Sequence, residues 1–105
     1  MAVIEATDEN FSQELGNHSK VVVKYYADWC GSCRLFNPKF KRLSVDDRFE
    51  EVAFLNVNAE KNEAARKAAG VTNLPFFAVF KSGVLVDAVA SSKEDAVVEL
   101  INKLN

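Results

Sequence analysis

The chain's only two cysteines, Cys30 and Cys33, stand three positions apart within Trp29-Cys30-Gly31-Ser32-Cys33. Two thiols at that spacing, at the junction between a β-rich apolar run and a helix-like one, suit a reversible dithiol/disulfide. The run before them, Val21-Val22-Val23-Lys24-Tyr25-Tyr26-Ala27, is short, β-branched and aromatic, as expected for a strand buried on both faces. After them the period changes: Phe36, Phe40 and Leu43 recur at i, i+4 and i+7. This predicts a helix from about Gly31, with Cys30 at its N-terminus and Cys33 one turn further in on nearly the same face. Both sulfurs can then meet. Unpaired backbone N–H groups and the positive end of the helix dipole stabilise a thiolate at that end. Cys30 is therefore expected to be the exposed nucleophile that attacks a substrate disulfide, with Cys33, shielded by the first turn, resolving the mixed disulfide.

Other uses of the pair require partners that the chain supplies poorly. A closed zinc site needs about four Cys, His or carboxylate ligands. The only histidine is His18, in the polar stretch Gly16-Asn17-His18-Ser19, and reads as a solvated loop residue. A purely structural disulfide closes too small a ring to remove much unfolded-chain entropy. That reading, a pair of inert thiols, and an iron–sulfur centre held by one pair from each of two chains stay open at this point.

A chain of 105 residues, 49% of them apolar, is long enough for one domain with its own core over 1–105 and too short for a second. A net charge of −2 with Lys/Arg and Asp/Glu interspersed leaves no concentrated basic face for nucleic acid. Met1-Ala2-Val3-Ile4-Glu5-Ala6-Thr7-Asp8 lacks a basic segment followed by a long apolar one. No stretch reaches the roughly 20 apolar residues of a membrane span. A cytoplasmic monomer is the expectation, and a reducing compartment suits a cycling cysteine pair better than a permanent disulfide.

Around the pair, strand-like and helix-like segments alternate, which predicts an α/β domain. Val3 to Ala6 reads as a short edge strand, with Thr7-Asp8 capping a helix that carries Phe11 and Leu15 and ends near Gly16. Residues 20–27 form the central strand, and the helix from Gly31 runs to about Val45 with Pro38 inside it, where a missing donor predicts a kink. Val52 to Asn58 is the next strand, and Glu63 to Ala69 is an Ala-rich helix stopped by Gly70. Phe76–Lys81 and Val84–Ala90 flank Ser82-Gly83, a two-residue hairpin signal. Ser91 or Ser92 caps a last helix whose Val97, Leu100, Ile101 and Leu104 face the sheet.

The order βαβαβαββα, with Trp-Cys-Gly-x-Cys after the second strand and Leu-Pro before the fourth, resembles the thioredoxin family over the whole chain. The matching marks are Ala27 through Gly31, Cys33-Arg34, Pro38, Leu55-Asn56-Val57, Val71 through Pro75 and Phe80-Lys81-Ser82-Gly83. The resemblance implies a thioredoxin fold: a central mixed sheet of about five strands flanked by four helices. It implies a thiol–disulfide oxidoreductase acting on protein disulfides, with no metal or organic cofactor beyond the Cys30–Cys33 disulfide and with a thioredoxin reductase as electron donor. It also implies a cis Pro75 beside the cysteines, Leu74 offering backbone groups to an extended substrate, and Trp29 partly exposed to contact the partner. Gly31, Ser32 and Ala90 complete the substrate-contacting set. A non-catalytic adaptor that keeps the same fold is the alternative.

Several residues depart from the family's pattern. Ser32 stands where proline is commonest; its N–H and hydroxyl favour the dithiol form, so a less reducing couple than a typical thioredoxin's is expected. Lys24 replaces a buried aspartate below the resolving cysteine, and Phe54 replaces that aspartate's frequent lysine partner. A charged Lys24 lowers a nearby thiol pKa by attraction, and a neutral buried one can act as a base; otherwise its ammonium snorkels to solvent. Ala90 stands where a glycine is usual and Phe76 where a small or polar residue is common, so the fit to partners is altered.

Overall fold

The β-branched and aromatic runs lie side by side in one mixed sheet. The computed structural model describes residues 2–105; Met1, the first position of the domain expected over 1–105, lies outside the described residues. The elements are β1 (Ile4–Ala6), α1 (Phe11–Asn17), β2 (Lys20–Tyr26), α2 (Gly31–Ser44), β3 (Ala53–Asn58), α3 (Glu63–Ala69), β4 (Phe76–Lys81), β5 (Val84–Ala90) and α4 (Glu94–Asn102). Their order is the one read from the sequence. A single 3₁₀ turn at Asp47–Phe49, closed by Asp46 accepting from the Arg48 N–H, was not foreseen.

The strand order is β1-β3-β2-β4-β5, parallel between β1, β3 and β2 and antiparallel from β2 to β4 to β5. β2 is central, which explains why its residues are buried on both faces. Alternation along it splits the core in two. Val21, Val23 and Tyr25 pack with Phe11 and Leu15 of α1 and Ala65 and Ala69 of α3. Val22 faces the other way, with Phe36, Phe40 and Leu43 of α2 and Val97, Leu100 and Ile101 of α4. The expected sheet-facing stripe of the last helix is thus in place.

The helix that carries the cysteines is fixed by aromatic packing. Phe36 lies 4.9 Å from Phe77, and Phe40 lies 5.2 Å from Phe54 and 5.8 Å from Phe77, ring centre to ring centre. These rings are fully buried, and each contributes about 2–3 kcal/mol by leaving water. Phe54 therefore holds α2 on the sheet rather than entering any ion pair.

Two capping expectations are corrected. Thr7-Asp8 does not cap α1, which starts from Asn10; the Thr7 carbonyl accepts from the Asn10 and Phe11 N–H groups at 3.1 and 2.8 Å. Asp8 reaches across the fold to α3, where its carboxylate accepts from the N–H of Ala65 at 2.9 Å and of Ala64 at 3.3 Å. A carboxylate there satisfies free donors and meets the positive helix end. Likewise α4 starts from Lys93, and Ser91 Oγ accepts from the Lys93 N–H just outside it at 3.1 Å, so neither Ser91 nor Ser92 is the cap residue. The stops hold: α3 ends at Gly70 with φ 65°, and Ser82 and Gly83 turn the hairpin with φ 50° and 81°. Pro38 lies inside α2.

Candidate active site

The end of β2 and the start of α2 deliver the cysteines as the sequence requires. Cys30 is the N-cap of α2, and its Sγ accepts from the Cys33 N–H at 3.1 Å. The two are joined as a disulfide with Cα atoms 5.3 Å apart. The Cys30 carbonyl already takes the Arg34 N–H at 3.2 Å, and the Cys30 N–H reaches the Ala27 carbonyl at 3.1 Å. The Cys30 sulfur is thereby held at the point where free N–H groups and the helix dipole favour an anion. Ser32 Oγ lies 3.6 Å from Cys30 Sγ, so the hydroxyl is placed to donate to it.

The expected exposure of Cys30 is not seen in the disulfide form. Cys30 is 4% exposed and Cys33 2%, both packed with Ala27 and flanked by Tyr26 and Leu74. The disulfide bonds the Cys30 sulfur to Cys33, and Leu74, distant in sequence, packs on the pair together with Tyr26, a contact that no local pattern announces.

The residues expected around the pair fall in two shallow grooves that share Leu74. Ser32, Asn73, Leu74, Pro75 and Ala90 line one of about 220 Å³. Trp29, Glu60, Arg66, Val71 and Leu74 line part of the other, of about 210 Å³. The Leu74–Pro75 peptide is cis, as the resemblance implied. Trp29 is 67% exposed, and its Nε1–H donates to Glu60 Oε2 at 2.8 Å, so the ring stands beside the disulfide instead of entering the core. Gly31 is exposed at the first position of α2 and lines neither groove. Phe76 is buried at the β4 end nearest the site, 6.2 Å from the Tyr25 ring.

Lys24 overturns the snorkelling expectation, being 1% exposed on the α2 side of the central strand. Its Nζ donates to Asn37 Oδ1 of α2 and, at 3.5 Å, to Asn56 Oδ1 of β3. The ammonium also lies 5.3 Å from the Tyr26 ring centre and 5.9 Å from that of Phe40. With Tyr26, Asp28, Cys33, Arg34 and Asn37 it lines a cavity of about 150 Å³ that reaches the disulfide. Burial lowers the Lys24 pKa to about 8, partly opposed by the attraction of Glu5. Burial raises the Tyr26 phenol well above its ordinary value, helped by its hydrogen bond to Glu5. Sequence reading missed Glu5, Asn37, Asn56 and Glu60. Asn56 and Asn58 alone carried a signal, as polar residues repeating on the Phe54 side of a buried strand.

No group of three or more His, Cys, Asp or Glu is placed to hold a metal ion among the described residues. His18 is half-buried and sits 3.3 Å from Glu14 on α1, away from the cysteines. Among the described residues, no helix is long and apolar enough to cross a membrane.

The chain is similar to known proteins in sequence and in fold. A sequence profile described as thioredoxin matches residues 2–103. An H-type thioredoxin of Chlamydomonas reinhardtii is 35% identical over 98 residues, 93% of this chain and 86% of that protein. A thioredoxin of Bacillus subtilis is 29% identical over 104 residues, 98% of each. The crystal structure of thioredoxin F from spinach chloroplast, short form, superposes with a TM-score of 0.89 at 25% identity, covering 98% of this chain and 93% of that one. A dithiol pair at a helix N-terminus, on a fold shared end to end with these proteins, leaves one assignment: the chain belongs to the thioredoxin family and is a thiol–disulfide oxidoreductase.

Proposed function

We infer that the chain reduces or exchanges disulfides in extended segments of other proteins, with Cys30 attacking and Cys33 resolving. The observation that carries this reading is Cys30 at the N-cap of α2, its sulfur bonded to Cys33 and accepting the Cys33 N–H. In the reduced protein a Cys30 thiolate attacks one sulfur of the substrate disulfide, forming a mixed disulfide and releasing a substrate thiolate that takes up a proton. Cys33 then attacks Cys30, the Cys30–Cys33 bond forms, and the second substrate thiol leaves. Two electrons pass from the pair to the substrate.

The groove of Ser32, Leu74, Pro75 and Ala90 supports docking of an extended backbone beside the sulfurs, with recognition resting on main-chain groups more than on side-chain sequence. Trp29 supplies an exposed flat contact on the other side. The redox-active disulfide is the only group the cycle requires, and a dithiol donor of the thioredoxin reductase kind restores the reduced pair. The working unit is a monomer in the reducing cytoplasm.

Insulin reduction with dithiothreitol tests the reading. Wild type is expected to accelerate insulin precipitation, Cys30→Ser to abolish the acceleration, and Cys33→Ser to accumulate a mixed disulfide with the substrate. No acceleration by wild type refutes the oxidoreductase reading in favour of an adaptor that only keeps the fold.

A further inference from the structure

One polar row, running from the surface to the buried Lys24, has no part in the exchange just described. In the sheet register Glu5 of β1 pairs with Asn56 of β3, and Asn56 pairs with Lys24 of β2, so the three stand in line across parallel strands. Their side chains are bonded in the same order. Lys24 Nζ donates to Asn56 Oδ1 at 3.5 Å, and Asn56 Nδ2 donates to Glu5 Oε1 at 3.3 Å. The other Glu5 oxygen takes the Tyr26 hydroxyl at 2.5 Å. The row begins at an exposed carboxylate and ends at the cavity that Lys24 shares with Cys33.

We propose that Glu5 is a positioning residue for the redox step: through Asn56 it holds the Lys24 ammonium charged beside Cys33, and that charge favours the reduced pair by stabilising its thiolate. The proposal rests on the thiol–disulfide exchange assigned above. When a dithiol donor reduces the protein, the Cys30–Cys33 bond breaks, a disulfide forms in the donor, and two electrons pass to the two sulfurs. One sulfur takes a proton and the other remains a thiolate, offset by the Lys24 charge. The donor's second proton goes to solvent or, where Nζ has lost its own, to Nζ.

Other groups around Lys24 do not duplicate Glu5. Asn37, from α2, is neutral, and Phe40 and the register partner Phe77 are apolar. Tyr26, on the same strand, is held protonated by burial and its bond to Glu5. Asp28 is exposed and lies 3.7 Å from Lys61, while Arg34 donates to the Asp28 carbonyl at 2.9 Å. Glu5 is thus the carboxylate hydrogen-bonded into the row. A lysine beside it, with its pKa lowered to about 8 by burial, sits where loss of the carboxylate changes its charge near neutral pH.

The test is a double-mutant cycle on the equilibrium constant with glutathione, read by thiol trapping from pH 6 to pH 9. The four proteins are wild type, Glu5→Gln, Lys24→Met and the double variant. Comparing proteins at one pH cancels glutathione's own titration. Lys24→Met is expected to shift the equilibrium towards the disulfide about tenfold near pH 8, and Glu5→Gln about threefold in the same direction. Both effects should shrink as the pH falls and the thiolate takes up a proton. In the Lys24→Met background, Glu5→Gln should change nothing. An equal Glu5→Gln effect with or without Lys24, or one that is constant with pH, overturns the proposal as a merely structural effect. No Glu5→Gln effect at all overturns it too, while wild type equilibrating with glutathione keeps the exchange assignment standing. A wild type that does not equilibrate fails the assignment itself and the proposal with it.

Discussion

Replacing Lys24 by methionine should make the oxidised protein more stable at pH 7 and less favoured as the pH rises. Lys24 is 1% exposed, and its pKa falls from the ordinary 10.5 to about 8 in the fold. At 1.36 kcal/mol for each pH unit, carrying this charge in the folded state costs about 3 kcal/mol at pH 7. Between pH 8 and 10.5 the unfolded chain holds a proton that the folded chain has released, so wild-type stability rises with pH across that window, and below it the full penalty applies. Methionine keeps the apolar stem and removes the charge, but it leaves Asn37 Oδ1 and Asn56 Oδ1 without their donor. Both asparagines are half-buried beside a cavity that admits water, so each loss is about 1 kcal/mol or less. The balance is a gain of about 1–2 kcal/mol for Lys24→Met at pH 7 and its loss or reversal near pH 10. Urea unfolding of both oxidised proteins at pH 7.0 and 9.8 measures it. Burial raises the pKa of Tyr25 and Tyr26, so their ionisation in the unfolded chain destabilises the fold above about pH 10, but that effect is common to both proteins and drops out of their difference. A difference that stays the same at the two pH values refutes the assignment of a charged, desolvated lysine.

Two further substitutions probe the local devices that hold the site. Asp8→Ala removes the carboxylate that accepts the Ala64 and Ala65 N–H groups, and should cost about 1 kcal/mol in urea unfolding while leaving the glutathione equilibrium unchanged. A loss no larger than the few tenths expected of an exposed residue contradicts its capping role. Ser32→Ala removes the hydroxyl 3.6 Å from Cys30 Sγ, and should shift the glutathione equilibrium about two- to threefold towards the disulfide. An unchanged equilibrium leaves the serine hydroxyl without a part in setting the couple.

What the sequence made legible, and what it did not, divides along the range of the interactions. The strand of Val21 to Tyr26, the helix face of Phe36, Phe40 and Leu43, the stop at Gly70 and the turn at Ser82-Gly83 are all local statements, written in side-chain period and backbone preference. The cysteine pair was legible for the same reason, since a helix start is a local event. Asp8 looked like a cap for the helix that follows it because its partners, Ala64 and Ala65, are brought near only by the fold. Lys24 looked able to snorkel because a lysine stem suits either outcome, and only the seating of α2 over β2 closes its way out.

Register is the property that turns these separate residues into a device. Glu5, Asn56 and Lys24 lie on β1, β3 and β2, which the sheet sets side by side in that order and not in chain order, and one alignment places them in a single row. A slip of one residue in β3 turns Asn56 to the opposite face and replaces it with an apolar neighbour, Leu55 or Val57. The buried ammonium then keeps only Asn37, and the cost of burying it rises. The same polar row that sets the charge beneath Cys33 thereby selects the register that creates it. This gives a physical reason for retaining a lysine in the centre of the sheet at a cost in stability.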